Sequence, residues 1–491
     1  MTSGWRQTLR VTVLDKELKL LAERVLAAAP ASLEMPAGTG KTHLLAAVAA
    51  RATANEQRCL VLTHTNAGVD ALRKRLRAFG VSPSMVVVDT IASWAFTLVR
   101  SYSELAGVSV PSTPDWSKSG AYLTGAIKVA AADAVKQVHR ASFQLLLVDE
   151  YQDCSMSQHE FILNLHKAVP QALVFGDRLQ GIFGFDPEDP LVDWESSVFP
   201  SFPLLDMDHV PHRWREHNQD LGQWILEIRG GLRDGAIVDW SQMQVPGLAW
   251  VDSRHTGLAE IAYAFRNFDE SVVLLDKWAG DVANHASRLG GAYTVMEDIQ
   301  GKFMHEELQS LARVSPTDYA FWLASFAKKC FTGLAGIDQT VLRRLKAGSV
   351  ASELKRDGIE PILVSLDELR ARPSLALLVA TAGAFEHTKG VRIYRREAWK
   401  DAISALSAAS ASSNSPADEL SMIRDRVRRV GRRAHARVAS RTLLVKGLEY
   451  DHVIIANGDK FNDPENLYVA LSRARKSVTI LSSRPSVILG Q

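Results

Sequence analysis

The sequence predicts an α/β protein built on two parallel sheets with flanking helices, and three observations carry that expectation. Two regions at opposite ends of the chain alternate short apolar runs with helical patterns, the signature of strands joined by crossover helices. The first such run leads into a glycine-rich turn that opens a helix. A later run, Leu145 to Val148, ends in the acidic pair Asp149-Glu150. At 491 residues the chain exceeds one ordinary core, so more than one domain is expected. Hydrophobic residues make up 46% and charged residues 23%, the balance of a globular protein rather than a disordered or membrane one. Lys+Arg 57 against Asp+Glu 55 gives a formal charge of +2, so a nucleic-acid surface has to come from local clustering. Cys59, Cys154 and Cys330 are odd in number and lack metal-ligand spacing, which fits a reducing cytoplasm. The start, MTSGWRQTLR, has no signal-peptide apolar stretch, and no run reaches the roughly 20 residues of a membrane span. A cytoplasmic protein with no membrane partner is expected.

In the first region the expected strands are Leu33 to Met35, Cys59 to Leu62, Met85 to Val88, Phe143 to Val148 and Ala172 to Phe175. Each ends in a polar or glycine-rich segment, where ligands of open parallel sheets bind. In the second region the expected strands are Ser271 to Leu275, Tyr293 to Met296, His452 to Ala456 and Ser477 to Leu481. The domain reading is 1–195 for the first, with a small helical insert at 101–142. Residues 196–300 and 436–491 form the second, interrupted by a helical insertion at 301–435. Within that insertion, Ser407 to Glu419 (SAASASSNSPADE) has little to bury and reads as a loop.

Ala37-Gly38-Thr39-Gly40-Lys41-Thr42 follows a short strand and precedes a helical run, the context a P-loop requires. Glycines let backbone amides turn toward phosphate oxygens, and the helix N-terminus adds positive dipole. Lys41 would reach the β/γ-phosphates of ATP and Thr42 would bind Mg²⁺. Met35 stands where the general pattern has its first glycine. Asp149 supplies a second Mg²⁺ contact. Glu150 would orient and deprotonate the attacking water, since phosphoryl transfer needs chiefly positioning and charge stabilisation.

Further segments resemble the UvrD/Rep/PcrA-like superfamily 1A DNA helicases over residues 36–475. Val148 to Asp153 (VDEYQD) is similar to that family's motif II, and Gly176 to Phe185 (GDRLQGIFGF) to motif III. Lys446 to Tyr450 (KGLEY) resembles motif V, and Tyr468 to Ala474 (YVALSRA) resembles motif VI. The resemblance implies two RecA-like P-loop motor domains and an ATP-driven translocase on single-stranded DNA or DNA junctions, moving 3′ to 5′. It implies that Gln180 senses the γ-phosphate and that Arg473 and Arg215 act as arginine fingers, with Gly447 and Glu449 on the nucleotide. A planar guanidinium suits this task because it spreads charge over phosphoryl oxygens. Arg213-Trp214-Arg215 offers two candidates for one finger; Arg215 is preferred because it puts Trp214 where the family stacks an aromatic on adenine.

On the same resemblance, His64, Thr65 and Asn66 match motif Ia and Thr90 matches motif Ib. Small hydroxyl and amide groups there suit phosphate contact without base choice. Phe185 falls where a base would stack, and a core position at a strand end is its other reading. Arg424 to Arg437 (RDRVRRVGRRAHAR) has seven arginines against one acid, read either as a solvated face or as a phosphate contact. Three positions depart from the family: residues 11–30 hold no Gln, Asp186 replaces an Arg, and Ala92 stands where motif Ib often has His. The compact build also resembles the UvrD-like subunit of the Gabija anti-phage system, which implies a second reading: a DNA-sensing regulatory ATPase partnered by a nuclease subunit.

Overall fold

Alternating apolar side chains on short parallel strands make the first sheet, and both of its faces are covered. The computed structural model describes residues 15–110, 118–184, 186–235, 237–265, 269–298, 300–430 and 435–490, with side chains only to 427 in the stretch before 435. The chain forms two compact units, Met1–Arg233 and Asp234–Gln491.

In the first unit the strands are β1 (Ala31–Glu34), β2 (Cys59–Thr63), β3 (Val86–Thr90), β4 (Leu145–Val148) and β5 (Gln171–Gly176). Their order is β1-β5-β4-β2-β3, and every pairing is parallel. The helices are α1 (Lys16–Ala27), α2 (Lys41–Ala54), α3 (Asn66–Ala78), α4 (Ile91–Ser101), α5 (Ser103–Ala106), α6 (Ser119–Ala131), α7 (Asp133–Ser142), α8 (Met156–Ala168) and α9 (Gln219–Arg233). Leu145 and Leu147 pack with Leu33, Leu173 and α2 on one face, while Leu146 and Val148 pack with α4, α6 and α8 on the other. Burial on both faces is why these strands read as unbroken apolar runs. Since all five run the same way, their carboxyl ends share one edge. Gly40, Thr65, Asp149 and Asp177 follow those ends directly or within a short loop.

The compact unit continues past the 195/196 boundary set from sequence and ends at Arg233. Residues of 196–233 are tied into it: Leu205 N donates to Ser32 O at 2.9 Å, and Arg229 on α9 reaches Glu34 at the end of β1.

The second unit carries β6 (Ile237–Asp239), β7 (Leu248–Asp252), β8 (Val272–Leu275), β9 (Thr294–Val295), β10 (Phe331–Thr332), β11 (Arg392–Ile393), β12 (Arg437–Ser440), β13 (Tyr450–Ile455), β14 (Ala474–Ser482) and β15 (Ser486–Ile488). Six of them form a parallel sheet in the order β7-β14-β13-β8-β12-β9. Its helices are α10 (Leu258–Ala264), α11 (Ala279–Arg288), α12 (Lys302–Ala312), α13 (Tyr319–Cys330), α14 (Gln339–Lys346), α15 (Glu360–Ala371), α16 (Leu375–His387), α17 (Arg396–Ala411), α18 (Pro416–Val430), α19 (Thr442–Val445) and α20 (Pro464–Leu471). The α/β class with two parallel sheets is thus the observed architecture. No helix among the described residues is long and apolar enough to cross a membrane.

Three sequence expectations need correction. Strands β7 and β12 escaped the reading: β7 is a half-buried edge strand, and β12 is four residues long at the end of the arginine run. The expected loop at Ser407 to Glu419 shrinks to residues 412–415, because Ala405 and Ala409 are buried on α17 and α18 begins at Pro416. The Asn414 Nδ2 and Ser412 hydroxyl donors to Glu419 tie the short turn down.

The insertion has its own core. Trp399 is fully buried, stacked on Phe326 at 5.3 Å and edge-on to Phe331 at 4.7 Å, with its indole N–H donated to Glu386 at 2.8 Å. Trp399→Ala is expected to lower stability by about 3 to 5 kcal/mol, since a cavity adds to the lost transfer energy. Denaturant unfolding monitored by circular dichroism measures it.

Candidate nucleotide site

The turn after β1 cannot be built from ordinary residues. Gly38 has φ +75° and Gly40 φ +90°, both in the left-handed region. A Cβ on Gly38 would lie 2.5 Å from the Trp214 ring, so a bare backbone is required for packing as well. Thr39 is buried and its hydroxyl donates to Pro36 O at 2.7 Å, closing the turn. Gly40 caps α2 and no side chain caps that helix, whose first residues are Lys41 and Thr42. Uncapped amides at a helix start, with the dipole behind them, attract an anion.

Lys41 and the end of β4 meet here. The ammonium lies 2.7 Å from Asp149 Oδ1 and 2.5 Å from Glu150 Oε1. Burial works against its charge, and the two carboxylates more than reverse this, holding the ammonium well above the usual lysine range. Burial pushes the Asp149 carboxyl up, opposed by Lys41. Glu150 has φ +57°, a left-handed conformation rare for a residue with a side chain. Its carboxylate accepts from Gln152 Nε2 at 2.5 Å.

Past β5, Asp177 and Gln180 complete this edge. Gln180 is buried and donates to Asp177 Oδ2 at 2.8 Å, and the same oxygen accepts from the P-loop amide of Ala37 at 2.9 Å. Asp177 N donates to Gln152 Oε1 at 3.0 Å. Asp177, Gln152, Arg229 and Glu34 were not singled out as site residues from sequence. An acid directly after an apolar strand was the signal available for Asp177, the one used for Asp149; Glu34 is itself the last residue of β1.

The remaining expected residues are placed unevenly. Trp214 is completely buried against Gly38 and Gly222, so the ring face offered to a base is covered in this structure. Arg213 sits over that ring at 5.4 Å. Arg215 is exposed and its Nη2 lies 3.1 Å from His212 Nδ1, while His212 neighbours Gly40. Thr65 and Asn66 are exposed at the start of α3, with the Thr65 hydroxyl accepting from Gly68 N at 3.0 Å. His64 Nε2 lies 3.4 Å from Cys154 Sγ. Thr90 is buried and caps α4 by accepting from Ser93 N at 3.0 Å. Phe185 lies outside the described residues; Phe183, two positions earlier, is 39% exposed.

In the second unit, Gly447 (φ +79°) and the exposed Glu449 lie between α19 and β13. Arg473 is buried, and its guanidinium donates to Val469 O, Leu448 O and the Ser472 hydroxyl at 3.0, 3.3 and 2.8 Å. The two ends of the arginine run are also engaged internally. Arg424 is buried on Asp401 at 2.7 Å and donates to Asp298 O, and Arg437 donates to Phe265 O. The side chains at 428–434 lie outside the described residues.

The donor set of the first unit fits a nucleotide and its divalent cation. The Lys41 ammonium shows that the point between Asp149 and Glu150 accepts a cation, and Thr42 follows Lys41 on the first turn of α2. Gly38→Ala is expected to weaken nucleotide binding by about 10-fold or more, because the Cβ collides with Trp214 and the backbone is strained. Isothermal titration with ADP measures it.

Residues 20–186 match the AAA domain family, and residues 417–482 match the viral superfamily 1 RNA helicase core domain. No curated protein matches the chain. Among solved structures, the Pif1 helicase from Candida albicans aligns with TM-score 0.38 at 13% identity, covering 96% of this chain and 94% of that one. The two domain matches, one at each end of the chain, support a superfamily 1 helicase, an enzyme class that binds and hydrolyses nucleotides.

Proposed function

We propose that the chain is an ATP-driven translocase on single-stranded DNA, moving 3′ to 5′ as the sequence resemblance implies. The observation that carries this reading is the close charge triad of Lys41, Asp149 and Glu150 beside the two left-handed glycines. A divalent cation, when bound, would offset the charge that builds on the phosphoryl oxygens.

Each residue then has a task. Lys41 would exchange its carboxylates for phosphate oxygens, and Asp149 with Thr42 would hold the metal. Glu150 would hold a water and take its proton. The Gln152 bond and the fixed backbone of Glu150 restrict where that carboxylate points, which is how positioning lowers a barrier. Gln180, adjacent to the P-loop through Asp177, reports the terminal phosphate. Arg473 and Arg215 would add charge to the transferring group, with Gly447 and Glu449 on the sugar and Trp214 near the base. For Arg473 this requires release from the carbonyls it now holds.

The exposed Thr65 and Asn66, with His64 and Thr90 behind them, lie at the edge that also carries the acids. Strand binding there through phosphates would tolerate any sequence. Phe185 would provide a stacking surface contributing about 1 to 3 kcal/mol per base.

Single-stranded DNA is expected to stimulate ATP hydrolysis, and both Lys41→Ala and Glu150→Gln to reduce turnover by about 100-fold or more. A coupled phosphate-release assay reads both effects. Hydrolysis that ignores DNA would remove the translocase reading, and full turnover in Glu150→Gln would remove that residue's role.

A further inference from the structure

Arg229 is a buried arginine that none of the tasks above uses. It lies on α9, outside the sequence motifs, and two short ion pairs hold it: Nη1 to Asp177 Oδ1 at 2.7 Å and Nη2 to Glu34 Oε1 at 2.7 Å. Glu34 also accepts from Arg178 Nη2 at 2.6 Å and Nε at 2.9 Å. Asp177 is fully buried, and a buried carboxylate is stable only when its charge is met. Arg229 meets it from one side while the other oxygen takes the Ala37 amide and the Gln180 carboxamide at 2.9 and 2.8 Å.

We propose that Arg229 is a positioning residue for the nucleotide site, holding Asp177 so that its second oxygen sets the P-loop amide and the Gln180 side chain together. The inference rests on the reading of Gln180 as the group that meets the terminal phosphate. The link is continuous. Asp177 N is fixed by Gln152, whose amide holds Glu150, which in turn holds Lys41. The path from Arg229 therefore returns to the P-loop from both ends, through Ala37 and through Lys41.

A general stabilising ion pair would not need a fork. A guanidinium can serve two carboxylates in fixed directions, whereas a lysine ammonium is a point charge that replaces the charge and not the geometry. Arg229→Lys thus separates positioning from charge balance.

The test is binding of a non-hydrolysable ATP analogue with magnesium, measured by calorimetry on the full chain for Arg229→Lys, Gln180→Ala and the double variant. Arg229→Lys is expected to weaken binding by about 10-fold while the unfolding midpoint stays near that of the wild type, and to have a clearly smaller effect once Gln180 is Ala, the coupling expected of groups sharing one partner. An equal loss in both backgrounds, or unaltered binding in Arg229→Lys, overturns the proposal. Asp177→Asn, which removes the charge pair but keeps an acceptor, carries the same cycle should Arg229→Lys fold poorly. This readout needs neither turnover nor DNA, so its failure is distinct from failure of the translocase reading, which the hydrolysis assay detects.

Discussion

A lysine ammonium removed from water is costly unless opposite charge stands close by, and at Lys41 two carboxylates do so within 2.7 Å. That arrangement fixes much else in the first unit. The P-loop must end where α2 starts, so that Lys41 leaves the helix toward β4. Strand β4 must deliver its two acids at the same edge, and β5 must bring Asp177 close enough to hold Ala37. The ammonium is thus met by carboxylates of the site itself, two against one.

Parallel topology makes this possible. Each strand enters from the same side and releases its polar residues at one edge, so segments far apart in sequence become neighbours there. Lys41 and Asp149 are 108 residues apart in the chain and 2.7 Å apart in space. Glycine and strain complete the geometry. Gly38 and Gly40 turn the backbone where a side chain would clash or distort, and Glu150 adopts a left-handed conformation that its buried neighbours maintain.

The class of fold and most of the first unit's strands were legible because a strand buried on both faces is an apolar run, and each such run ends in recognisable chemistry. The Gly-Lys-Thr segment and the Asp149-Glu150 pair were legible for the same reason. Arg229 was not, because an isolated arginine on an amphipathic helix looks like a solvated charge until Glu34 and Asp177 are seen beside it. The covering of Trp214 was equally hidden, since sequence marks an aromatic near the P-loop and not the direction of its ring. Strand β12 was obscured by the arginines before it, and the length of α17 by small residues that look like loop but pack as alanines. Thr90 shows a further limit: a hydroxyl at a strand end serves a helix cap or a phosphate equally well, and only its burial and the Ser93 bond show the first.

If nucleotide hydrolysis at Lys41, Asp149 and Glu150 drives directed movement, the time to reach a strand end must grow with strand length. A stopped-flow experiment with single-stranded DNA of increasing length, labelled at its 5′ end, measures that time directly after ATP is added. A lag that rises linearly with length and disappears without ATP is expected. A signal independent of length, with hydrolysis intact, would contradict it.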